Sequence, residues 1–259
     1  VFTLTRRSTA VALAAATLGT AALAAATPAA AVHGGKNATT ADHPYIMAIR
    51  STSGEQICGG TLVAPTKVVT AAHCVDNEDG SAKKFKVIGG RTEVASTKGT
   101  VRNIASIKIH PQYVSAAFTY DAAVITLDKP MPYKVLPVAG PRDGALYKSG
   151  TSATALGWGL TATDTLATRL KSARLVLSPL KSCEPYTQPD DKSSLKLCTT
   201  PAAGTKDSIC RGDSGGPLIV GGKLVGILST GNKYCNKDFP TGLFTRVSAI
   251  SAKLSLPTG

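Results

Sequence analysis

An all-β fold is predicted from three features of this 259-residue chain. Its apolar runs are short and rich in Val, Ile, Leu and Thr. Turn residues such as Pro65, Asp79-Gly80 and Gly221-Gly222 separate them. Gly (25) and Pro (15) are spread along the length, which suits many tight connections and argues against long helices. With 43% hydrophobic residues, the chain can bury a large core, as one domain or as two small ones.

Residues 1–31 have a composition of their own. Arg6 and Arg7 are their only charges, an Ala/Leu-rich run from Ala10 to Ala26 follows, and Thr27-Pro28-Ala29-Ala30-Ala31 closes the segment. A basic start, an apolar middle and a small-residue end describe a secretory signal peptide, hence an extracellular product. A membrane span is the competing reading, but an Ala-rich run falls short of the ~20 strongly apolar residues a span needs. No membrane association is expected.

The strand candidates follow in chain order: Tyr45–Arg50, Thr61–Ala64, Val68–Thr70, Phe85–Ile88, Ile104–Ile109, Ala122–Leu127, Ala153–Leu156, Ala173–Leu177, Pro217–Val220, Lys223–Leu228 and Gly242–Arg246. Gly221-Gly222, between two apolar runs, predicts a tight hairpin. Val247, Ile250 and Leu254 recur at helical spacing and predict a short terminal helix over 247–254. Four prolines, Pro130, Pro132, Pro137 and Pro141, predict an extended connector. It divides an N-terminal module, 32–136, from a C-terminal module, 137–259.

Charge and cysteine usage narrow the function classes. Removing Arg6 and Arg7 with the leader leaves about +11 of the formal +13. The Lys and Arg are dispersed, without long runs or interleaved aromatics, so a solvated surface is expected rather than a nucleic-acid partner. All six Cys lie after the leader, and an even number in an exported chain predicts three disulfides. Zinc is the alternative. It lacks a C-x-x-C pair, and only four His are present.

Three segments carry chemistry. In Cys210-Arg211-Gly212-Asp213-Ser214-Gly215-Gly216-Pro217 a serine stands among glycines. A serine hydroxyl is a weak nucleophile that needs a base for its proton and N–H donors for the oxyanion it creates. Gly212, lacking a Cβ, leaves an amide free to turn toward that oxygen. The structural alternative is a Gly-rich turn. In Thr70-Ala71-Ala72-His73-Cys74 a histidine, the natural base near neutral pH, is flanked by small residues and a Cys. In Tyr120-Asp121-Ala122-Ala123-Val124-Ile125 an acid opens an apolar run. By itself such an Asp is a turn residue, and beside a His it would hold the imidazole.

Taken together and in the order His, Asp, Ser, these segments resemble the trypsin/chymotrypsin family of secreted serine proteases. Val32-His33-Gly34-Gly35, Cys58-Gly59-Gly60-Thr61-Leu62, Gly157-Trp158-Gly159 and Gly242-Leu243-Phe244-Thr245-Arg246-Val247 extend the resemblance over nearly all of the chain after the leader. The Ala-rich leader and compact loops are most similar to actinobacterial members. The resemblance implies two six-stranded antiparallel β-barrels with the active site between them. It implies the disulfides Cys58–Cys74, Cys183–Cys198 and Cys210–Cys235, each worth roughly 3 kcal/mol by loop entropy. His73, Asp121 and Ser214 would form the triad, with Gly212 and Ser214 amides as the oxyanion hole and Ser229 supporting Asp121. Asp213 would pair with a new N-terminal amine at Val32. Protein or peptide substrates, proteinaceous protease inhibitors, a monomeric state and no cofactor or metal are also implied. Asp76, Glu78 and Asp79 do not resemble the family's calcium loop and are read as a solvated turn.

Two departures bear on activation. Gln56 stands where many relatives carry a His, and only Ala29-Ala30-Ala31 precedes Val32, so no basic activation site is present. The specificity pocket has two readings. Counted without a gap from Ser214, the floor is Ser208, with Ile209 beside it and Gly231 and Gly242 on the wall, and an apolar or aromatic P1 residue follows. A local bulge would instead bring Asp207 to the floor and favour Arg or Lys. Two other function classes compete. An inactive protease-like binding module usually lacks a triad residue, and none is missing. Gly212-Asp213-Ser214-Gly215-Gly216 also fits the G-x-S-x-G pattern of α/β-hydrolases, but these place a His after the Ser, and none follows His110.

Overall fold

Each half of the chain turns its short apolar runs into a closed six-stranded antiparallel barrel. The computed structural model describes residues 2–3, 34–76, 84–161, 165–232 and 240–259. The leader's body, Val32, Glu78, Asp79 and Cys235 lie outside them. A two-residue strand, β1 (Lys36–Asn37), precedes the first barrel. That barrel comprises β2 (Ile46–Ser51), β3 (Gln56–Ala64), β4 (Lys67–Thr70), β5 (Phe85–Gly89), β6 (Thr100–Ile109) and β7 (Ala123–Leu127), in the order β2-β3-β4-β7-β6-β5. The second comprises β8 (Ser152–Gly157), β9 (Lys171–Ser178), β10 (Lys196–Pro201), β11 (Pro217–Val220), β12 (Lys223–Gly231) and β13 (Gly242–Arg246), in the order β8-β9-β10-β13-β12-β11. Both barrels trace one path: three strands laid side by side, then three more returning to close the sheet.

The period of two along a strand explains why β2 is apolar at nearly every position. Met47 and Ile49 enter the core of the first barrel. Ile46 and Ala48 point the other way, into a cluster with Ile88, Leu156, Trp158 and Leu170 between the barrels. A strand buried on both faces cannot alternate with polar residues. β6 has an open outer face, and its burial alternates accordingly. The Gly221-Gly222 hairpin between β11 and β12 forms as predicted, with φ of +55° and +74°.

The two ends of the chain cross over. β1 pairs with β9 of the second barrel, Lys36 opposite Ser172 and Asn37 opposite Lys171. At the other end, the helix α1 (Val247–Ile250) sends Val247 and Ile250, with Leu254 beyond it, into the core of the first barrel. Burying such side chains is worth roughly 1.5–3 kcal/mol each. The predicted helix over 247–254 is thus shorter as a regular helix. Leu254 still donates to the Ile250 carbonyl, and Ser255, at φ +54°, ends the run.

β10 was not among the predicted strands, yet it lies between β9 and β13. The Pro-rich connector runs as an extended strap, with Leu136 bonded to Leu62 of the first barrel and Ala139 to Leu224 of the second. Cys58–Cys74 and Cys183–Cys198 are disulfides as expected. Cys210 is disulfide-bonded as well, and its expected partner, Cys235, lies outside the described residues. Among the described residues, no helix is long and apolar enough to cross a membrane.

Candidate active site

His73 occupies a single 3₁₀ turn, Ala72–Cys74, immediately after β4. The Cys58–Cys74 bridge ties that turn to β3. One carboxylate takes both of its donors: the His73 amide reaches Asp121 Oδ1 at 2.9 Å, and Nδ1 reaches Oδ2 at 2.7 Å. A carboxylate offers no donor, so Nδ1 carries the ring proton and Nε2 keeps its lone pair. Asp121 is fully buried. The second barrel completes its shell: Ser229 Oγ on β12 donates to Oδ2 at 2.6 Å, and Thr245 Oγ1 on β13 donates to the Asp121 carbonyl at 2.9 Å. A buried carboxylate satisfied this way is held in one position.

The turn ahead of Asp121 builds the other wall. Phe118 and Tyr120 both take left-handed backbone, at φ +49° and +51°. Tyr120 stacks on His110 with ring centres 4.7 Å apart, and Phe118 meets His73 edge-on at 5.5 Å. From β10, Lys196 Nζ donates to the Ala117 carbonyl at 3.1 Å and pairs with Asp191 at 2.6 Å. Lys196 and Asp191 are almost fully buried. The second barrel therefore holds the Phe118 turn over His73.

Ser214 sits on the loop before β11. The Gly59 amide of β3 donates to the Ser214 carbonyl at 2.7 Å. Gly212 has φ +93°, a conformation an L side chain rarely adopts. Among the described residues, the amides of Gly212 and Ser214 donate to no acceptor. Asp213 is fully buried, with Oδ1 accepting from the Gly159 amide at 2.7 Å and Oδ2 from the Cys210 amide at 2.9 Å. Burial pushes its carboxyl up to about 7, against the pull of those two bonds. Gln56 turns elsewhere, to the Cys58 carbonyl and Arg50.

His73, Phe118, Ile209, Ser214, Ser229 and Gly231 line one cleft of about 210 Å³. His73 Nε2 lies 3.8 Å from Cys74 Sγ, and no hydrogen bond joins it to Ser214 Oγ. Such bonds are often long before substrate arrives. Cys58, His73 and Cys74 converge, but the two sulfurs are joined to each other and are not thiolate ligands.

The remaining predicted residues divide. Ile209 and Gly231 line the cleft, with Gly242 directly behind Ile209. Ser208 is fully buried beneath, its hydroxyl donating to the Ile209 carbonyl at 3.1 Å, and it does not line the cleft. Asp207 does not line it either. Its Oδ2 accepts the Arg174 amide at 2.8 Å and lies 3.6 Å from the Arg174 guanidinium. Val32 lies outside the described residues. The segment that follows it is docked nearby: a Cβ on Gly34 would stand 2.5 Å from the Lys206 carbonyl. Phe118, Lys196, Arg174 and Thr245 carry no motif that marks them individually as site residues. Only Phe118 had a local signal, an aromatic three residues before Asp121.

Known proteins match this arrangement. The Trypsin family model covers residues 32–254. The trypsin of Saccharopolyspora erythraea is 36% identical over 217 residues, spanning 83% of this chain and 93% of that protein. Trypsin eta of Drosophila melanogaster is 29% identical over 229 residues, spanning 83% and 84%. Among solved structures, mouse neuropsin, a serine protease, superposes with a TM-score of 0.74 at 25% identity, over 86% of this chain and 98% of that one. The VesB protease of Vibrio cholerae gives 0.72 at 25% identity, over 86% and 66%. The described geometry and a family model spanning the barrels agree, and the chain belongs to the trypsin family of serine endopeptidases, acting on peptide or protein substrates.

Proposed function

We propose that the chain is a secreted endopeptidase that cleaves after uncharged, apolar residues, using His73, Asp121 and Ser214. The observation that carries the triad is the His73–Asp121 pair, bonded at 2.7 Å and facing the same cleft as Ser214. In the first step Ser214 Oγ attacks the peptide carbonyl carbon and its proton passes to His73 Nε2. Asp121 stabilises the resulting imidazolium through Nδ1–H, with Ser229 holding the carboxylate. The amides of Gly212 and Ser214 receive the oxyanion. His73 then protonates the leaving amine as the C–N bond breaks. Water, losing its proton to His73, hydrolyses the acyl-enzyme and restores Ser214.

Apolar preference at P1 draws support from Asp207, whose carboxylate is engaged by Arg174. An Arg or Lys buried in the cleft would find no counter-charge there. The name trypsin on the Saccharopolyspora relative favours the opposite reading, Arg or Lys at P1 through Asp207. Those bonds would first have to be exchanged.

Secretion through the 1–31 leader, a monomeric state, the two modules meeting at 136/137 and proteinaceous inhibitors as partners belong to the same proposal. So does pairing of a free Val32 amine with Asp213. The docked position of Gly34 and the raised Asp213 carboxyl support it.

The test is Ser214→Ala in the secreted enzyme. Peptidase turnover should fall by roughly three orders of magnitude or more, and labelling by an organophosphonate should disappear, with an unchanged thermal unfolding curve. Near-normal turnover in that variant would refute the triad.

A further inference from the structure

The floor of the cleft is an isoleucine. Ile209 is 4% exposed. Its Cγ1 lies 2.8 Å from where a Cβ on Gly242 would stand, and its Cδ1 lies 3.3 Å from where a Cβ on Gly231 would stand. The absence of side chains at the two wall glycines therefore makes room for Ile209 itself. Behind it, Ser208 has no exposure, and Asp207 faces Arg174. Neither polar group reaches the space in front of Ile209.

Resting on the peptidase reading above, we infer that Ile209 truncates the specificity pocket and restricts the P1 residue to short aliphatic side chains. Three physical constraints keep it in place. A β-branched side chain has few χ1 rotamers, so it does not swing aside freely. Its neighbour Cys210 is disulfide-bonded, which limits backbone retreat. Phe244 and Thr199 crowd the same spot, with atoms 3.1 and 3.2 Å from a Cβ placed on Gly242. A closely packed interior accepts extra atoms only with strain. An alanine or valine side chain fits in front of Ile209. A phenyl ring, or the stem of a lysine, must displace it.

The test uses matched peptide anilides ending in Ala, Val, Phe or Lys, with wild type, Ile209→Val and Ile209→Ala. Wild type should favour Ala or Val over Phe and Lys by at least about tenfold in kcat/KM, the scale on which a hydrophobic pocket discriminates by size. In Ile209→Ala the Phe-to-Ala ratio should rise at least tenfold, with a smaller rise in Ile209→Val. The Lys-to-Ala ratio should rise far less, because Asp207 remains held by Arg174. Wild type favouring Phe or Lys overturns the inference. So does a Phe-to-Ala ratio that stays within threefold across the variants. Ile209→Val removes a single methylene and keeps the comparison available if Ile209→Ala fails to fold. Each preparation is also labelled with a fluorophosphonate. Enzyme that labels but shows the wrong ratios overturns the pocket inference alone. Wild type that neither labels nor cleaves any anilide overturns the peptidase reading and this inference with it.

Discussion

The two barrels follow the same strand path but hold their reactive groups differently. In the first, His73 and Asp121 are fixed by four hydrogen bonds, two of them supplied by Ser229 and Thr245 from across the interface. In the second, Ser214 rides on a loop shaped by backbone: Gly212 at positive φ, amides left unpaired, and a buried Asp213 beneath. The difference follows from the chemistry. A proton relay must keep one geometry through every step, and satisfied polar contacts give that. An oxyanion site must leave donors vacant until the transition state forms, so its order has to come from elsewhere.

The comparison breaks first at Asp121. Asp121→Asn should preserve the bonds' shape while reversing the donor pattern at His73 Nδ1. A fall in kcat of about 10⁴-fold is expected, the general figure for this triad, with little change in KM. A loss under tenfold would mean the first barrel does not work through a fixed tautomer.

Asp213 sharpens the other half. Burial holds its carboxyl at about 7 in the folded chain, well above the ordinary carboxylate range. A group raised in this way contributes stability that is present below its unfolded value and is lost as pH rises through its folded value. Enzyme carrying an extra residue ahead of Val32 should therefore lose up to about 4 kcal/mol of stability between pH 4 and 7. Asp213→Asn in the same form should flatten that slope. Mature enzyme with a free Val32 amine should be nearly level across the window, because the cation supports the charged carboxylate. Urea unfolding at several pH values measures all three. Identical slopes in the blocked and free forms would separate Asp213 from the amine.

The smallest expected effects concern the disulfides. Replacing Cys58 and Cys74 by Ser, or Cys183 and Cys198 by Ser, should each cost about 3 kcal/mol. The stability losses should be similar, yet only the first pair holds the His73 turn. Its removal should lower kcat more than removal of the second pair, measured at a temperature where both variants are folded. Equal kcat in the two variants would assign the His73 geometry to Asp121 alone.

The sequence carried most of this fold because barrel strands leave a periodic apolar record. β10 escaped because its record is polar: Lys196 is buried through an ion pair, Thr199 through hydrogen bonds, and Pro201 reads as a strand end. β1 is two exposed residues with no pattern to find. At the proposed site, the segments around His73, Asp121 and Ser214 stand out in the sequence because their flanking residues are constrained too. The pocket does not. Whether Asp207 faces substrate or Arg174 depends on a partner 33 residues away. The place of Ile209 depends on two glycines that in sequence look like open space. Contacts between distant segments leave no local trace, and the proposed selectivity rests on such contacts.

The crossed ends of the chain make its halves interdependent. The first barrel's core is closed partly by Val247, Ile250 and Leu254, residues that follow the last strand of the second. The second barrel's β9 is edged by β1, which precedes the first strand of the first barrel. Neither barrel is complete until the whole chain is available to fold. A cut in the exposed connector near Lys134 would yield two polypeptides that stay clasped, like links already closed through one another. Such clasping is a form of durability: one nick in that loop would leave Ser214 beside His73.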